Sequence, residues 1–354
     1  MYFDLRDDDA VVVEVWGLNL RGSIITAPTV TGIIEEITSL TGRMKPLPKW
    51  TQVGAVAGLE GGTKEVKEHV DVLLRSDVKL SGVWLQDWVG LRHAYDGDRL
   101  VWNWALDRSY YPEWDEMQVE FEQHEIRMLT YINPFFSNPA GLQSNATRNI
   151  FHEGVQNKFY IQSPSGGPYV LRSGSIEFHM IDLTNPRARV WMKDIIKREM
   201  IVGAKSSGWM EDFGEYLPFD AVMYSGISGA EYHNQYPTDW AAVNEEAIAE
   251  YRLENSEGVN NAAIHADDIV YFMRSAALDS PGHTSLYWLG DQLVTWDQYD
   301  GIKSAVVGAL SGGIGGHSLT HSDIGGYTMV RMNDAIIRNI SEIICLCVCT
   351  CLSG

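Results

Sequence analysis

From about residue 50 onward, apolar positions come in short bursts with a regular rhythm. The bursts "VGAVAGLEGG", "SGVWLQDWVG", "RMLTYINPFF", "SSGWMEDFGEYL", "IVYFMRSA", "SLYWLGDQ" and "GGIGGHSLTHSDIGG" read as strands punctuated by glycine. Between most of them lie stretches of helical period: "KEVKEHVDVLLRSD", "DEMQVEFEQHEI", "RARVWMKDIIKREMIV" and "TDWAAVNEEAIAEYRLE". Strand and helix units in alternation predict an α/β fold with a parallel sheet and helices outside it. Polar residues cluster at the C-terminal ends of the bursts: Gln86 and Asp87, Asn133, Asp212 and Glu215, Arg274, Asp291, His321 and Asp323. A doubly wound sheet gathers its site at one crevice, whereas a (β/α)8 TIM-type barrel carries polar groups at all its strand tips. The expectation is therefore a TIM-type barrel that is incomplete, with seven strands and the eighth unit missing.

Ahead of that rhythm, "AVVVEVWGLNL" alternates loosely and reads as strand. "TVTGIIEEITSLTG" reads as a short helix ending at Gly42, and "KPLPKW" as a linker. A formal charge of −20 leaves no basic stripe for nucleic acid and argues against an anionic membrane surface. No apolar run reaches the roughly 18 residues of a transmembrane helix. The N-terminus "MYFDLRDDDAVVVEVW" is acidic where a secretory signal is basic, so a cytoplasmic chain is favoured. All four cysteines fall in "CLCVCTC", residues 345–351, at an alternate spacing that suits neither zinc nor a bridge within one strand. The sequons at Asn145 and Asn339 are read as chance, and a homo-oligomer stays open. The 12 Trp, 16 Tyr and 10 Phe suit a core and equally a carbohydrate cleft, where rings stack on sugar faces.

The carboxylates carry the chemistry. Asp212 and Asp291 end two strands separated by the one that carries Arg274. A retaining glycosidase needs two carboxyl groups about 5–5.5 Å apart, one a nucleophile and one an acid/base. The aromatic context "YWLGDQ" favours a protonated Asp291, and Arg274 favours an ionised Asp212. Taken singly, an acidic residue at a strand end more often caps a helix or holds a loop; two of them framed by Trp, Gly and Arg on consecutive strands favour the catalytic reading. His317 and His321 are spaced like a helical metal pair, but their glycine-rich surroundings do not read as helix, and no metal is expected. "GGIGG" lacks a phosphate-loop lysine, so no nucleotide cofactor is expected.

The stretches "GWMEDFGEYLP", "FMRSAALDS", "LYWLGDQLVTWD" and "HSLTHSDIGGYT" resemble, in order, the signatures of glycoside hydrolase family 31, the α-glucosidase family. More narrowly they resemble its sulfoquinovosidases, which cleave α-glycosides of 6-deoxy-6-sulfoglucose. The resemblance covers roughly residues 43–335. It implies that Asp212 is the nucleophile, Asp291 the acid/base and Arg274 an arginine near the reacting sugar. It implies that Trp209 and the aromatic strand around Asp212 shape a dry pocket, and that Glu215 holds neighbouring groups.

Sulfonate recognition would fall to Arg99 and Trp102 in "DGDRLVWNW", converging from a loop or helical turn, and to Tyr327. A guanidinium fork and an indole N–H suit sulfonate oxygens. The alternative is an exposed Arg99 beside Asp96 and Asp98, with Trp102 a packing residue. The resemblance also implies Gln86 on sugar hydroxyls; Asp87, His321 and Asp323 are further candidates from the residues themselves to line the sugar site. Glu60 stands where the family often has Gln; as an acceptor only, it is expected to face the 3- or 4-hydroxyl.

By the same resemblance residues 1–42 are the last strands of a β-sandwich domain, 43–335 the barrel and 336–354 a divergent Cys-rich tail. The chain then looks truncated at both ends, stopping short of a later His that binds sugar. The implied partner is a small anionic sulfonated glycoside such as sulfoquinovosyl glycerol. A neutral α-glucoside and an inactive fragment are the alternatives.

Overall fold

The seven apolar bursts all become strands of one sheet. A computed structural model describes residues 2–4, 6, 7, 9–15, 22–139, 148–255, 266–324, 326 and 327. The sequons at Asn145 and Asn339 and the Cys345–Cys351 run lie outside the described residues.

Two short strands, β1 (Tyr2–Asp4) and β2 (Val12–Glu14), pair antiparallel at the start. Helix α1 (Val30–Thr41) is next; Thr29 Oγ1 accepts from the Gly32 N–H at 3.0 Å, and the helix stops at Gly42 with φ 89°. The barrel begins with β3 (Ala55–Leu59), α2 (Gly62–Arg75) and β4 (Leu80–Leu85). A hairpin of β5 (Leu91–Ala94) and β6 (Gly97–Leu100) comes next, then α3 (Trp114–Gln123) and β7 (Arg127–Ile132). Beyond β7 an insertion holds β8 (Phe135–Ser137), α4 (Ile150–Asn157), β9 (Leu171–Ser173) and β10 (Ile176–Met180). Its three strands form a separate antiparallel sheet.

Helix α5 (Pro186–Ile195) starts on the Asn185 cap with proline in its first turn and runs on as a π-helical stretch, Ile196–Gly203. Then come β11 (Gly208–Glu211), α6 (Gly229–Tyr232), α7 (Tyr236–Glu254) and β12 (Val270–Met273). The series closes with β13 (Leu286–Trp288), α8 (Ile302–Ile314) and β14 (Thr320–His321).

The main sheet runs β14-β13-β12-β11-β7-β4-β3 with every neighbouring pair parallel. Among the described residues it has seven strands, and β3 and β14 are its edges. Central strands are buried on both faces, as parallel sheets covered by helices require: every residue of β11 and β12 is buried. The edge strand β3 instead exposes Ala55, Val56 and Gly58. Helix α8 likewise leaves Val306, Val307, Leu310 and Ile314 exposed.

Buried tryptophans tie the loops after β4 and β6 to the tip of β7. Trp88 Nε1 donates to the Tyr131 carbonyl and Trp104 Nε1 to the Phe135 carbonyl, both at 2.8 Å, and both rings are fully buried. Side chains of this size stabilise by roughly 2–3 kcal/mol each on burial, and they fix the segment that bears Tyr131 and Asn133.

Candidate active site

Asp212 sits one residue beyond β11, and its N–H extends the strand ladder to the Ile132 carbonyl at 2.9 Å. Its carboxylate is 7% exposed and met from three sides. Tyr131 Oη donates to Oδ2 at 2.6 Å, the Phe213 N–H donates to Oδ1 at 2.8 Å, and Arg274 Nη1 lies 3.3 Å from Oδ1. Burial pushes this carboxyl up to about 6, against the pull of Arg274, Tyr131 and the Phe213 amide. It is therefore an anion at neutral pH, as the nucleophile role expected of it requires.

Arg274, beyond β12, is clamped by Glu215, which accepts from Nε at 2.9 Å and from Nη2 at 2.8 Å. Its guanidinium lies over the Phe213 ring at 4.2 Å. Phe213 takes φ 60°, a left-handed conformation that costs a non-glycine residue on the order of 1 kcal/mol. That turn swings its N–H back onto the side chain of the preceding residue.

Asp291, past β13, is solvent-exposed, yet partial burial of its carboxyl raises it while the nearby Arg274 charge opposes the rise. Its charge acts on Asp212 and on Asp323, whose carboxyl burial pushes up to about 7. His321 packs edge-on against Phe272 at 5.5 Å, and burial pushes its imidazole down to about 4, so it is neutral. Tyr327 is fixed by its N–H to the Gln292 carbonyl at 2.9 Å, and its hydroxyl feels Asp291, Glu60, Asp212 and Asp323. Asp87 is fully buried and accepts from the Gly61 N–H at 2.7 Å and from Tyr111 Oη at 2.5 Å. Its charge adds to the desolvation that raises Glu60. Gln86 begins the 3-10 turn Gln86–Val89 and is half-buried. Glu60, Asp212, Asp291, Asp323 and Tyr327 thus meet at the C-terminal strand tips, where TIM-type barrels carry their sites.

Arg99 and Trp102 lie elsewhere on that rim. They belong to the end of β6 and the loop after it, and not to a helical turn. Trp102 packs against Phe178 at 4.9 Å, Phe135 at 5.5 Å and Phe213 at 6.3 Å. Its backbone is pinned to Ser137, whose Oγ accepts from the Trp102 N–H at 3.1 Å. Arg99 pairs with Asp96 at 2.8 Å, and Asp96 also accepts from Ser175. Among the described residues, Nε of Arg99 and the indole nitrogens of Trp84, Trp102 and Trp288 are buried donors with no protein hydrogen-bond partner, where buried donors are normally satisfied.

Trp209 differs from its expected place. It is fully buried, donates to Asn244 of α7 at 2.9 Å and stacks on Tyr271 at 6.0 Å. Strand alternation explains this: Trp209 and Glu211 share the helix-facing side, while Asp212 takes the other. His317 and His321 are likewise split, His317 packing edge-on against Tyr287 at 4.6 Å and His321 against Phe272. Tyr131 and the Phe213 turn escaped the sequence reading. Tyr131 belongs to a continuous apolar run that reads as core, and a left-handed phenylalanine carries no sequence signal.

The profile of the "Glycosyl hydrolases family 31 TIM-barrel domain" matches residues 46–342. The chain belongs to glycoside hydrolase family 31. Within the family, a sulfoquinovosidase of Escherichia coli K12 is 34% identical over 343 residues, covering 96% of this chain and 47% of that protein. A sulfoquinovosidase of Agrobacterium fabrum is 31% identical over 340 residues, covering 95% of this chain and 48% of that protein. The solved structure of a family 31 sulfoquinovosidase from E. rectale, in complex with the aza-sugar inhibitor IFGSQ, superposes with a TM-score of 0.80. It is 35% identical and covers 90% of this chain and 45% of that one. The chain spans about half the length of the curated relatives it matches.

Proposed function

We propose that this chain carries the catalytic barrel of a retaining α-glycosidase that hydrolyses α-sulfoquinovosides, with sulfoquinovosyl glycerol a representative substrate. Asp212 attacks the anomeric carbon as an anion while Asp291, its carboxyl raised by desolvation, protonates the departing glycosidic oxygen. A glycosyl ester on Asp212 results, and Asp291, now the base, takes a proton from the water that cleaves it. Arg274, clamped by Glu215, holds the negative charge of Asp212 until attack. Glu60, Gln86, His321 and Asp323 serve the sugar hydroxyls, and Arg99, Trp102 and Tyr327 the sulfonate; Asp87, expected to line the sugar site, is instead fully buried with both oxygens engaged by Gly61 and Tyr111 and holds the loop that carries Glu60. Residues 1–42 belong to a preceding β-sandwich domain in this reading, and 43–335 form the barrel.

The observation that carries the reading is the setting of Asp212: a buried anion with three donors, beside a second carboxyl whose environment raises it. The unpartnered donors on Arg99 and Trp102 support an anionic ligand. A neutral α-glucoside is the second reading, favoured by one observation: Asp96 already engages the Arg99 charge. The deciding assay is nitrophenol release from an aryl α-sulfoquinovoside and from the matching α-glucoside, with Asp212→Asn as control. Faster turnover of the sulfonated compound, lost in the control, supports the proposal; preference for the glucoside establishes the second reading.

A further inference from the structure

Phe213 touches more of the site than a spacer beside the nucleophile needs to. Its N–H reaches Asp212 Oδ1 at 2.8 Å, and its carbonyl accepts from Ser275 Oγ at 2.6 Å. One contact of the ring is the Arg274 guanidinium at 4.2 Å; others are Phe135 at 5.0 Å, Tyr216 at 5.2 Å and Trp102 at 6.3 Å. The next residue, Gly214, has φ 112°, and a Cβ there would fall 2.5 Å from Ser275 Oγ, so the turn is closed tightly on β12's tip. A single side chain thus lies between the arginine that partners Asp212 and the indole whose N–H lacks an acceptor.

We infer that Phe213 is a positioning residue that couples the wall carrying Trp102 to the Asp212–Arg274 pair, so that an anionic group bound at that wall sharpens attack. The ring is packed between two groups that meet different parts of one ligand. Ordering Trp102 on a sulfonate restrains Phe213, which restrains the guanidinium above it and, through its own N–H, the carboxylate. The consequence is that preference for a sulfonated sugar is expressed in kcat as well as in binding. This rests on the sulfoquinovoside reading of the site.

The test uses Phe213→Leu and Phe213→Tyr in the full chain. Neither replacement is glycine, so both carry the same left-handed strain and differ in the ring alone. Phe213→Leu is expected to lower kcat on the aryl α-sulfoquinovoside by about tenfold more than on the matching α-glucoside, with KM changing less. Phe213→Tyr, which keeps the ring, is expected to restore the wild-type ratio. Equal losses on both substrates overturn the coupling.

A second readout needs no turnover: a carbon-13 carboxyl titration of Asp212. The groups facing that carboxyl are Tyr131, Arg274 with Glu215 behind it, Asp291 and Tyr327. Loosening Arg274 in Phe213→Leu raises the midpoint above its value in the wild-type chain; an unmoved midpoint overturns the inference. Should the Leu variant lose its cooperative melt, Ser275→Ala removes the bond to the Phe213 carbonyl and is expected to raise the midpoint in the same direction. Wild-type preference for the glucoside would instead sink the substrate reading, while the titration still judges the link between Phe213 and Arg274.

Discussion

Tyr131 Oη and Asp212 Oδ2 lie 2.6 Å apart across two adjacent parallel strands, and Asn133 Nδ2 donates to the same hydroxyl at 3.1 Å. The tyrosine is fully occupied: it accepts one hydrogen bond and donates its only proton to the carboxylate. Desolvation and the charge of Asp212 hold the phenol well above its usual range, so it stays a donor at any working pH.

Removing that donor has a signed consequence. In Tyr131→Phe the Asp212 anion loses one of its three stabilising contacts, and its midpoint moves up from about 6. The acid limb of kcat/KM is expected to move to higher pH, with a loss of about tenfold at pH 7. A pH–rate profile in which the limb stays put would show that the hydroxyl does not tune the carboxylate.

The wild-type profile is itself predictable. Asp212 must be ionised to attack, and its carboxyl is raised to about 6, so kcat/KM is expected to fall as pH drops through that value. Asp291 must start protonated, and its carboxyl is raised as well, so rate falls again on the alkaline side. Asp212→Asn is expected to cost on the order of 10⁴ in kcat with the fold intact by thermal melt.

In the proposed reading, substrate choice turns on Arg99. Its Nε is buried without an acceptor, while Nη2 is held by Asp96. Arg99→Ala is expected to lower kcat/KM on sulfonated substrates by roughly 10- to 100-fold, the worth of a charge-assisted hydrogen bond, and on glucosides by only a few-fold. Paired assays on the two aryl glycosides measure this; equal losses would remove Arg99 from sulfonate recognition.

Glu211 predicts a stability effect separate from catalysis. It is fully buried, and the only side chain opposing that burial is the Asn244 amide, whose Oδ1 accepts from Trp209 Nε1 and whose Nδ2 also donates to the Trp240 carbonyl. Burial holds its carboxyl well above the usual range. A group raised in the fold stabilises below its unfolded value and loses that contribution as pH rises toward the folded one. Glu211→Gln is therefore expected to melt higher than wild type at pH 8, with the gap shrinking toward pH 5. A gap that does not change with pH would mean the glutamate carries no linked proton.

The barrel was legible in the sequence because its physics is repetitive. Each buried parallel strand must be a short apolar run, and each tip must turn polar, so Asp212, Arg274 and Asp291 stood out by position. Trp209 misled because an aromatic beside a nucleophile reads the same whether it faces the sugar or the helices. Only the parity of the strand separates the two, and Trp209 falls on the side of Asn244. Helix α8 is not among the stretches that read as helical, and its last residues, in "GGIGG", fall in the burst that becomes β14, because glycines weaken the helical signal. The ring cluster around Phe213 joins residues more than 100 positions apart, from Trp102 to Arg274, which no local pattern encodes.

The order of strands also divides labour around the cleft. Asp212, Arg274 and Asp291 come after β11, β12 and β13, interior neighbours in an unbroken ladder. Glu60 comes after β3 at one edge, while Asp323 and Tyr327 come after β14 at the other. Asp212, Arg274 and Asp291 are thus anchored in mid-span, whereas Glu60, Asp323 and Tyr327 hang from the two edge strands of the described sheet. A shift of either edge strand would therefore move Glu60 or Asp323 and Tyr327, like a jaw adjusted at its tips, while the relative placement of Asp212, Arg274 and Asp291 stays with the ladder.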